Sequence, residues 1–206
     1  MIAADGIPPE AGWIEGLTAP RPEPARDGRP PDADALERII ASATTVPDHG
    51  GLRPWRFAVV AGSGREWFGE ALVAGLHEVR GPAVPEAAVA KMRGKAFAAP
   101  CAVVLIASTD PVSNVPVWEQ VASAACTGYA IVLAAAGLGY GAVWKSAPVL
   151  ESRAVRSLFD LSEDEQLLGW VNLGSPGPVS ERKSDAAPVD LTGLVTVIDG
   201  QGSRAY

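Results

Sequence analysis

No charged residue occurs between Gln120 and Trp144, a run bounded by Glu119 and Lys145. A membrane-spanning helix needs about 20 apolar residues, so this run is long enough to cross a bilayer. The run is rich in Ala and Gly, however, glycines interrupt it at Gly137–Gly141, and no basic cluster flanks it. We therefore predict a fully buried helix that leads into a strand, with one face covered by a partner subunit.

The composition is that of an acidic, folded, single-domain protein. The chain has 206 residues, 48% of them hydrophobic, and a formal net charge of -7. That charge argues against nucleic-acid binding, because few cations could replace phosphate counterions. Two cysteines and two histidines, without Cys-x-x-Cys spacing, exclude a zinc module and a disulfide scaffold, and we predict no metal site. The N-terminal residues lack the pattern of a secretion signal, so we expect a cytoplasmic protein with no membrane association.

Proline density and hydrophobic patterning divide the chain into three parts. A cluster of prolines between Pro20 and Pro31 predicts an extended N-terminal arm over residues 1–31. Helical and strand patterns alternate over residues 32–198, and residues 199–206 form a tail. Two predicted helices separate the first two strands, and a last strand at Leu194–Ile198 stands alone behind a polar loop. This order predicts an α+β fold with a mixed sheet rather than a doubly wound nucleotide-binding fold.

Cap signals predict where two of the helices begin. Asp34, with a glutamate three residues later, is predicted to cap the first helix, and Ser63 is predicted to form a capping box in the same way. A further helix predicted at residues 85–97 is basic on one side, and Lys95 is the last of its cations.

Three short patterns have ordinary structural interpretations. Gly62–Gly64 lacks the Lys-Ser/Thr of a phosphate loop, so a tight turn explains it better. Gly137–Gly141 follows a helix and precedes a strand, the reverse of a dinucleotide fingerprint, and helix termination explains it better. Asp48 and His49 are adjacent, with no Gly-x-Ser-x-Gly elbow, which argues against a hydrolytic triad. His49 is interpreted either as a ligand contact or as a structural histidine, and both interpretations stay open.

Several separated motifs resemble the FMN-dependent nitroreductase family. Residues 46–60 carry Pro-Asp-His and then Arg-Pro-Trp-Arg-Phe, which is similar to the family's Ala-Pro-Ser/Asp…Gln-Pro-Trp-x-Phe segment. Residues 115–120 and 139–146 are similar to a small bacterial branch that carries Asp-His and Trp-Arg-Ser. Leu173–Pro176 matches the family's Leu-Gly-x-Pro. The resemblance extends over roughly residues 12–198.

The resemblance implies a nitroreductase-like α+β fold, with a sheet flanked by helices and a C-terminal strand exchanged across a homodimer. It implies FMN at the subunit interface, NADH or NADPH as reductant, and a nitroaromatic, quinone or similar small molecule as electron acceptor. No side chain is expected to act as a catalytic acid or base, since the flavin carries the chemistry.

The resemblance transfers cofactor-binding positions to this chain residue by residue. His49 matches the branch histidine that contacts FMN, and Trp144, Lys145 and Ser146 match the Trp-Arg-Ser segment, with Lys in place of Arg. Thr45 stands where an arginine is usual, so only its backbone position transfers.

The main departure lies in the arm. The family's Arg-Arg-Ser-x-Arg, which grips the FMN phosphate, aligns with Pro20–Ala25, so only Arg21 of that motif remains. Arg53 and Gly51 replace the usual Gln and Asn. Two alternatives follow: a scaffold or partner protein that has lost tight FMN binding, and a flavin-dependent dehydrogenase that tailors a natural product with the same site residues.

Overall fold

The computed structural model describes residues 16–17, 19–178, 191, 193–199 and 202–205. Its center is a four-stranded sheet in the order β1-β2-β4-β3, and each pair of neighbouring strands is antiparallel. The strands are β1 (Trp55–Ala61), β2 (Cys101–Ser108), β3 (Gly141–Lys145) and β4 (Glu165–Gly174).

The prediction of an α+β fold is confirmed, but the prediction of a mixed sheet is wrong for the strands that the structure describes. Strands β1 and β4 run in the same direction, as do β2 and β3, but another strand lies between the members of each pair. Strand order depends on which strands become neighbours in space, and the sequence pattern does not contain that information.

Helices cover both faces of the sheet. The chain forms α1 (Ala33–Ala43), α2 (Gly64–Arg80), α3 (Glu86–Gly94), α4 (Val117–Gly137) and α5 (Arg153–Leu158). Short 3-10 turns occur at His49–Gly51 and Lys95–Phe97, so the helix predicted at residues 85–97 is divided in two.

Two predicted caps differ in the structure. The side chain of Asp32, rather than that of Asp34, caps α1 by accepting a hydrogen bond from Ala35 N at 2.8 Å. Ser63 precedes α2 but makes no capping bond with its side chain; its carbonyl accepts from Glu66 N instead. The first N–H groups of a helix lack partners within the helix, and the Asp32 side chain and the Ser63 carbonyl each accept a hydrogen bond from one of them.

The two main parts of the hydrophobic core lie on opposite faces of the sheet. Helices α2, α3 and α5 pack on one face around Phe68 and Trp170, whose rings meet edge to face with centroids 5.1 Å apart. Helices α1 and α4 pack on the other face around Ile39, Leu105 and Ile131.

Helix α4 is long and apolar enough to cross a membrane, but one of its faces packs on the sheet. A Cβ atom at Gly128 would lie 2.6 Å from Leu105 Cδ1 and 2.9 Å from the Trp144 ring, so this close approach requires glycine. The opposite face of α4 exposes Trp118 and Tyr129, and after Glu119 it is uncharged. The predicted buried helix is therefore buried on one side only within a single chain.

A separate hairpin ends the described part of the chain. Strand β5 (Thr196–Asp199) pairs with β6 (Gly202–Ala205). The strand predicted to stand alone therefore has a local partner, and part of the predicted tail is that partner strand. Ile198 of β5 is 81% exposed. Residues 1–15 of the predicted arm lie outside the described residues.

Candidate cofactor site

The N-terminal arm runs along the edge strand β3 and the end of β4. The Pro22 carbonyl accepts a hydrogen bond from Ala142 N at 3.2 Å, and the Glu23 carbonyl accepts one from Gly177 N at 2.8 Å. A Cβ atom at Gly141 would lie 2.7 Å from the Glu23 carbonyl oxygen, so the arm could not approach β3 this closely beside a larger residue. The arm is thus fixed by backbone contacts, and it holds Arg21 and Glu23 at defined places.

Arg21 is held by its own arm and by α4. Its Nη2 donates to the carbonyls of Gly16 and Leu17 at 3.1 and 2.5 Å, and its guanidinium carbon lies 5.9 Å from the center of the Tyr129 ring. Its Nε is buried and has no partner among the described residues. A buried donor without an acceptor is costly, and an acceptor from a ligand would satisfy it.

Arg21 lines two neighbouring cavities. One has a volume of about 330 Å³ and lies between the arm, α4 and β3, with Tyr129, Val132 and Trp144 in its wall. The other, of about 660 Å³, lies between the arm and the C-terminal end of α4, with Leu133 in its wall. Both volumes fall in the range of roughly 300–1,000 Å³ that is usual for small-molecule sites.

Trp144 is fixed in the wall of the smaller cavity. Its indole Nε1 donates to the Leu168 carbonyl at 3.1 Å, and its ring packs on Gly128 of α4. A flat, immobilised aromatic ring beside a guanidinium suits a planar ligand that also carries negative charge.

Lys145 lies on the opposite face of β3 from Trp144, because successive side chains of a strand point to opposite faces. Its Nζ lies 3.5 Å from Glu23 Oε1, and both side chains are almost half exposed. The next residue, Ser146, accepts a hydrogen bond on its carbonyl from Lys95 Nζ at 3.4 Å. Two lysines therefore lie around the end of β3. With Arg21 and Trp144 they form the first cluster of candidate site residues.

Sequence reasoning missed Lys95 as a site residue. It lies in the 3-10 turn after α3 and belongs to no motif of the resemblance. The available signal was the basic side of the predicted helix, but only the tertiary packing brings that side to Ser146.

His49 lies in a second cluster, at the N-terminal end of α4, and Thr45 follows the C-terminal end of α1. His49 Nδ1 is 2.8 Å from Glu119 Oε2, beside a cavity of about 240 Å³ that Cys126 also lines. Thr45 Oγ1 donates to the Ser42 carbonyl. From Glu119 to Gly128, the helix rises about 13 Å at 1.5 Å per residue. One chain alone therefore does not bring His49 to Arg21 and Trp144.

Arg26, Arg53, Arg182 and Lys183 are further cations that could replace the lost arginines, but the two that the structure describes do not join the first cluster as free donors. Arg26 Nη1 donates to the Phe97 carbonyl at 3.1 Å. Arg53 belongs to the loop of His49, where its backbone has a positive φ of 50° and its N–H donates to Asp48 Oδ2. Arg182 and Lys183 lie outside the described residues.

Comparison with known protein families matches residues 27–175 to the nitroreductase family. The chain belongs to this family. A protein of Escherichia coli K12, provisionally named NAD(P)H nitroreductase YdjA, is 34% identical over 146 residues, which cover 71% of this chain and 78% of that protein. A Haemophilus influenzae protein, also provisionally named an NAD(P)H nitroreductase, is 31% identical over 169 residues, 82% of this chain and 89% of that protein.

Solved structures agree on the fold of this family member. A nitroreductase-like family protein from Bacillus cereus has a TM-score of 0.74 at 20% identity, covering 94% of this chain and all of that one. A Y88A mutant of NfnB from Sphigopyxis sp. strain HMH, described as an FMN and NADPH-dependent nitroreductase, has a TM-score of 0.66 at 22% identity. The match covers 92% of this chain and 98% of the NfnB chain. The nitroreductase-like fold predicted from the motifs is confirmed, and the chain is an oxidoreductase of nitroreductase type.

The first cluster fits part of what FMN requires. It offers a fixed aromatic wall, a guanidinium with an unused buried donor and a lysine at one strand end, but Glu23 brings negative charge to the same place. In the described part of the chain, no group of three potential ligands could hold a metal ion.

Proposed function

We propose that this nitroreductase-family chain binds FMN and oxidises NADH or NADPH, passing electrons to a nitroaromatic, quinone or similar small acceptor. The observation that carries the proposal is the cluster around β3, where Arg21, with its unpartnered buried Nε, and the fixed Trp144 ring share one cavity. The names of the relatives, which include NAD(P)H nitroreductases and an FMN-dependent enzyme, support the same activity.

Each residue of the cluster has a distinct part in holding the cofactor. Arg21 donates to an oxygen of FMN through its unused Nε, and Trp144 lies against a planar or ribityl part. Lys145 contributes positive charge at the strand end, and the Ser146 backbone, which Lys95 contacts, fixes that end in place. When bound, FMN supplies two-electron chemistry between NAD(P)H and the acceptor, so none of these side chains needs to transfer a proton.

We propose that the active unit is a cytoplasmic homodimer in which a second chain completes each site. His49 and the β3 cluster lie apart in one chain, and the uncovered face of α4 between them carries no charge. A second copy packed on this face would shield its apolar side chains and bring its own residues to the first cluster. The exposed Ile198 on β5 supports exchange of the C-terminal segment in the same dimer.

The alternative, a scaffold or partner protein without tightly bound FMN, is favoured by the hydrogen bonds of the two cations. Arg21 Nη2 already donates to the carbonyls of Gly16 and Leu17, and Lys145 is paired with Glu23. A phosphate binding here competes with contacts that the chain makes on its own.

Flavin stoichiometry separates the two functions. The purified protein is incubated with excess FMN, freed of unbound flavin and measured by its absorbance near 450 nm, where we expect about one flavin per chain. The loaded protein is then assayed with NADH and with NADPH against nitroaromatic and quinone acceptors, and oxidation of the nicotinamide is expected. A stoichiometry near zero would contradict the proposed function and favour the scaffold.

A further inference from the structure

The carboxylate of Glu23 lies beside Lys145, the cation that an anionic ligand of this site would contact. Its Oε1 lies 3.5 Å from Lys145 Nζ, and the two side chains are 44% and 42% exposed. An ion pair exposed to this degree is weak, because water and salt screen it. An anionic ligand can therefore displace the Glu23 carboxylate from Lys145, but the two anions compete for this cation.

The competing carboxylate is fixed in place by the backbone. The bonds from Ala142 N to the Pro22 carbonyl and from Gly177 N to the Glu23 carbonyl hold both sides of the residue, and the missing side chain of Gly141 lets the arm lie against β3. Ala25 N also donates to the Ser175 carbonyl at 2.9 Å. The arm cannot swing away without losing these bonds, so Glu23 stays within reach of Lys145.

We propose that Glu23 is a specificity-determining residue, which competes with a ligand phosphate for Lys145 and so reduces the preference of the site for FMN over riboflavin. The inference rests on the proposed flavin function. Riboflavin lacks the phosphate but has the same ring system, so the Trp144 ring contacts both ligands alike. Only the phosphorylated ligand gains when the carboxylate is removed.

The test measures dissociation constants for FMN and for riboflavin by quenching of flavin fluorescence, in wild type and in E23Q. Glutamine keeps the size of the side chain and removes its charge. We expect E23Q to bind FMN about fivefold more tightly, the effect of one charge at a half-exposed site, while riboflavin binding stays within about twofold. Added salt is expected to reduce the gain.

Two further variants test the cause. E70Q removes one carboxylate from the exposed pair between α2 and α3, where Arg93 Nε lies 2.7 Å from Glu70 Oε1, and it controls for the change in net charge. It is expected to leave both dissociation constants unchanged. In the K145Q background, E23Q is expected to lose its fivefold gain, because the cation for which Glu23 and the phosphate compete is absent.

The outcomes separate this inference from the proposed function. If flavin binds but the ratio of FMN to riboflavin affinity is the same in wild type and E23Q, the inference is overturned and the function stands. The inference is also overturned if E23Q gains the same FMN affinity in the K145Q background, or if E70Q alone gives that gain. If no variant binds either flavin, the proposed function fails, and the inference fails with it.

Discussion

Lys145 extends from the last position of the edge strand β3, where the resemblance expected an arginine and the structure shows a cation already paired with Glu23. His49, the other matched position, pairs with Glu119 at the far cluster. The second histidine, His77, lies within α2 with its Nδ1 3.4 Å from the Gly81 carbonyl, and it matches no motif. The three residues thus differ in what they can contribute to flavin binding.

Replacing Lys145 with alanine is expected to weaken FMN binding about fivefold, or about 1 kcal/mol, since Glu23 already neutralises part of its charge. His49→Ala is expected to weaken binding by about twofold, as for the loss of one weak hydrogen bond at the edge of a site. FMN titration by fluorescence quenching measures both effects.

His77→Ala is the matched control, and its FMN affinity is expected to equal that of wild type. All three side chains are polar and lie outside the apolar core clusters, so folding should survive each change. Unchanged affinity in both the Lys145 and the His49 variants would show that the transfer of site residues from the family is wrong.

At the scale of elements, one ion pair joins parts of the fold that the sheet does not connect directly. Arg56 of β1 donates through Nε and Nη2 to both carboxylate oxygens of Glu165, at 2.6 and 2.8 Å, across the sheet from β4. Arg56 Nη2 also donates to the Phe159 carbonyl, and Ser162 N donates to Glu165 Oε2. The hydrogen bond from Arg56 lowers the pKa of Glu165 to about 2.

This ion pair predicts acid sensitivity. Because the folded-state pKa of Glu165 lies below its unfolded value of about 4.5, the stabilisation is fully present above that value and is lost as the pH falls toward 2. Glu165→Gln is expected to lower the free energy of unfolding by about 2 kcal/mol at pH 7, since Arg56 then lacks its charged partner.

Urea unfolding followed by circular dichroism from pH 7 to pH 2 checks this expectation, and the variant should lose less stability than wild type over the acid range. Glu70→Gln breaks an exposed pair with Arg93 and serves as the control, with an unchanged midpoint at pH 7. Equal acid sensitivity in wild type and Glu165→Gln would contradict the assignment.

At the scale of the whole molecule, the proposed dimer predicts that one chain alone lacks the partner that covers the exposed face of α4. Helix α4 covers the sheet with one face. Its other face exposes Trp118 and Tyr129, three turns apart, and carries no charge after Glu119. Apolar surface of this kind marks an interaction site. In the proposed dimer, a two-fold pair of α4 helices would bring the His49 cluster of one chain to the β3 cluster of the other.

Trp118→Glu is expected to convert the proposed dimer to a monomer, because it places a further charge on the apolar face that the second chain would bury. Trp67→Glu is the matched control: Trp67 of α2 is 70% exposed and Trp118 is 69% exposed, but Trp67 is not on α4. Multi-angle light scattering at micromolar concentration measures both, with circular dichroism to show that the fold is retained. A wild-type monomer, or loss of the dimer in the Trp67 variant alone, would contradict the proposed interface.

The sequence by itself determined the elements and the family. Hydrophobic periodicity located the strands and helices of the domain, since local burial patterns reflect which face of each element is covered. Motifs such as Pro-Asp-His and Trp-Lys-Ser led to the nitroreductase family because their order along the chain is specific, and the family comparison agrees. The end of α4 at the glycines of Gly137–Gly141 also followed from local chemistry alone.

Only the tertiary structure decided the strand order, the division of the site and its charge. Antiparallel neighbours arise because β4 inserts between β2 and β3, a choice made by packing and not by pattern. Lys95 reaches Ser146, and Glu23 reaches Lys145, across sequence separations that no motif spans. Local sequence fixes what each segment prefers, whereas contacts between distant segments depend on how the whole chain closes around its core.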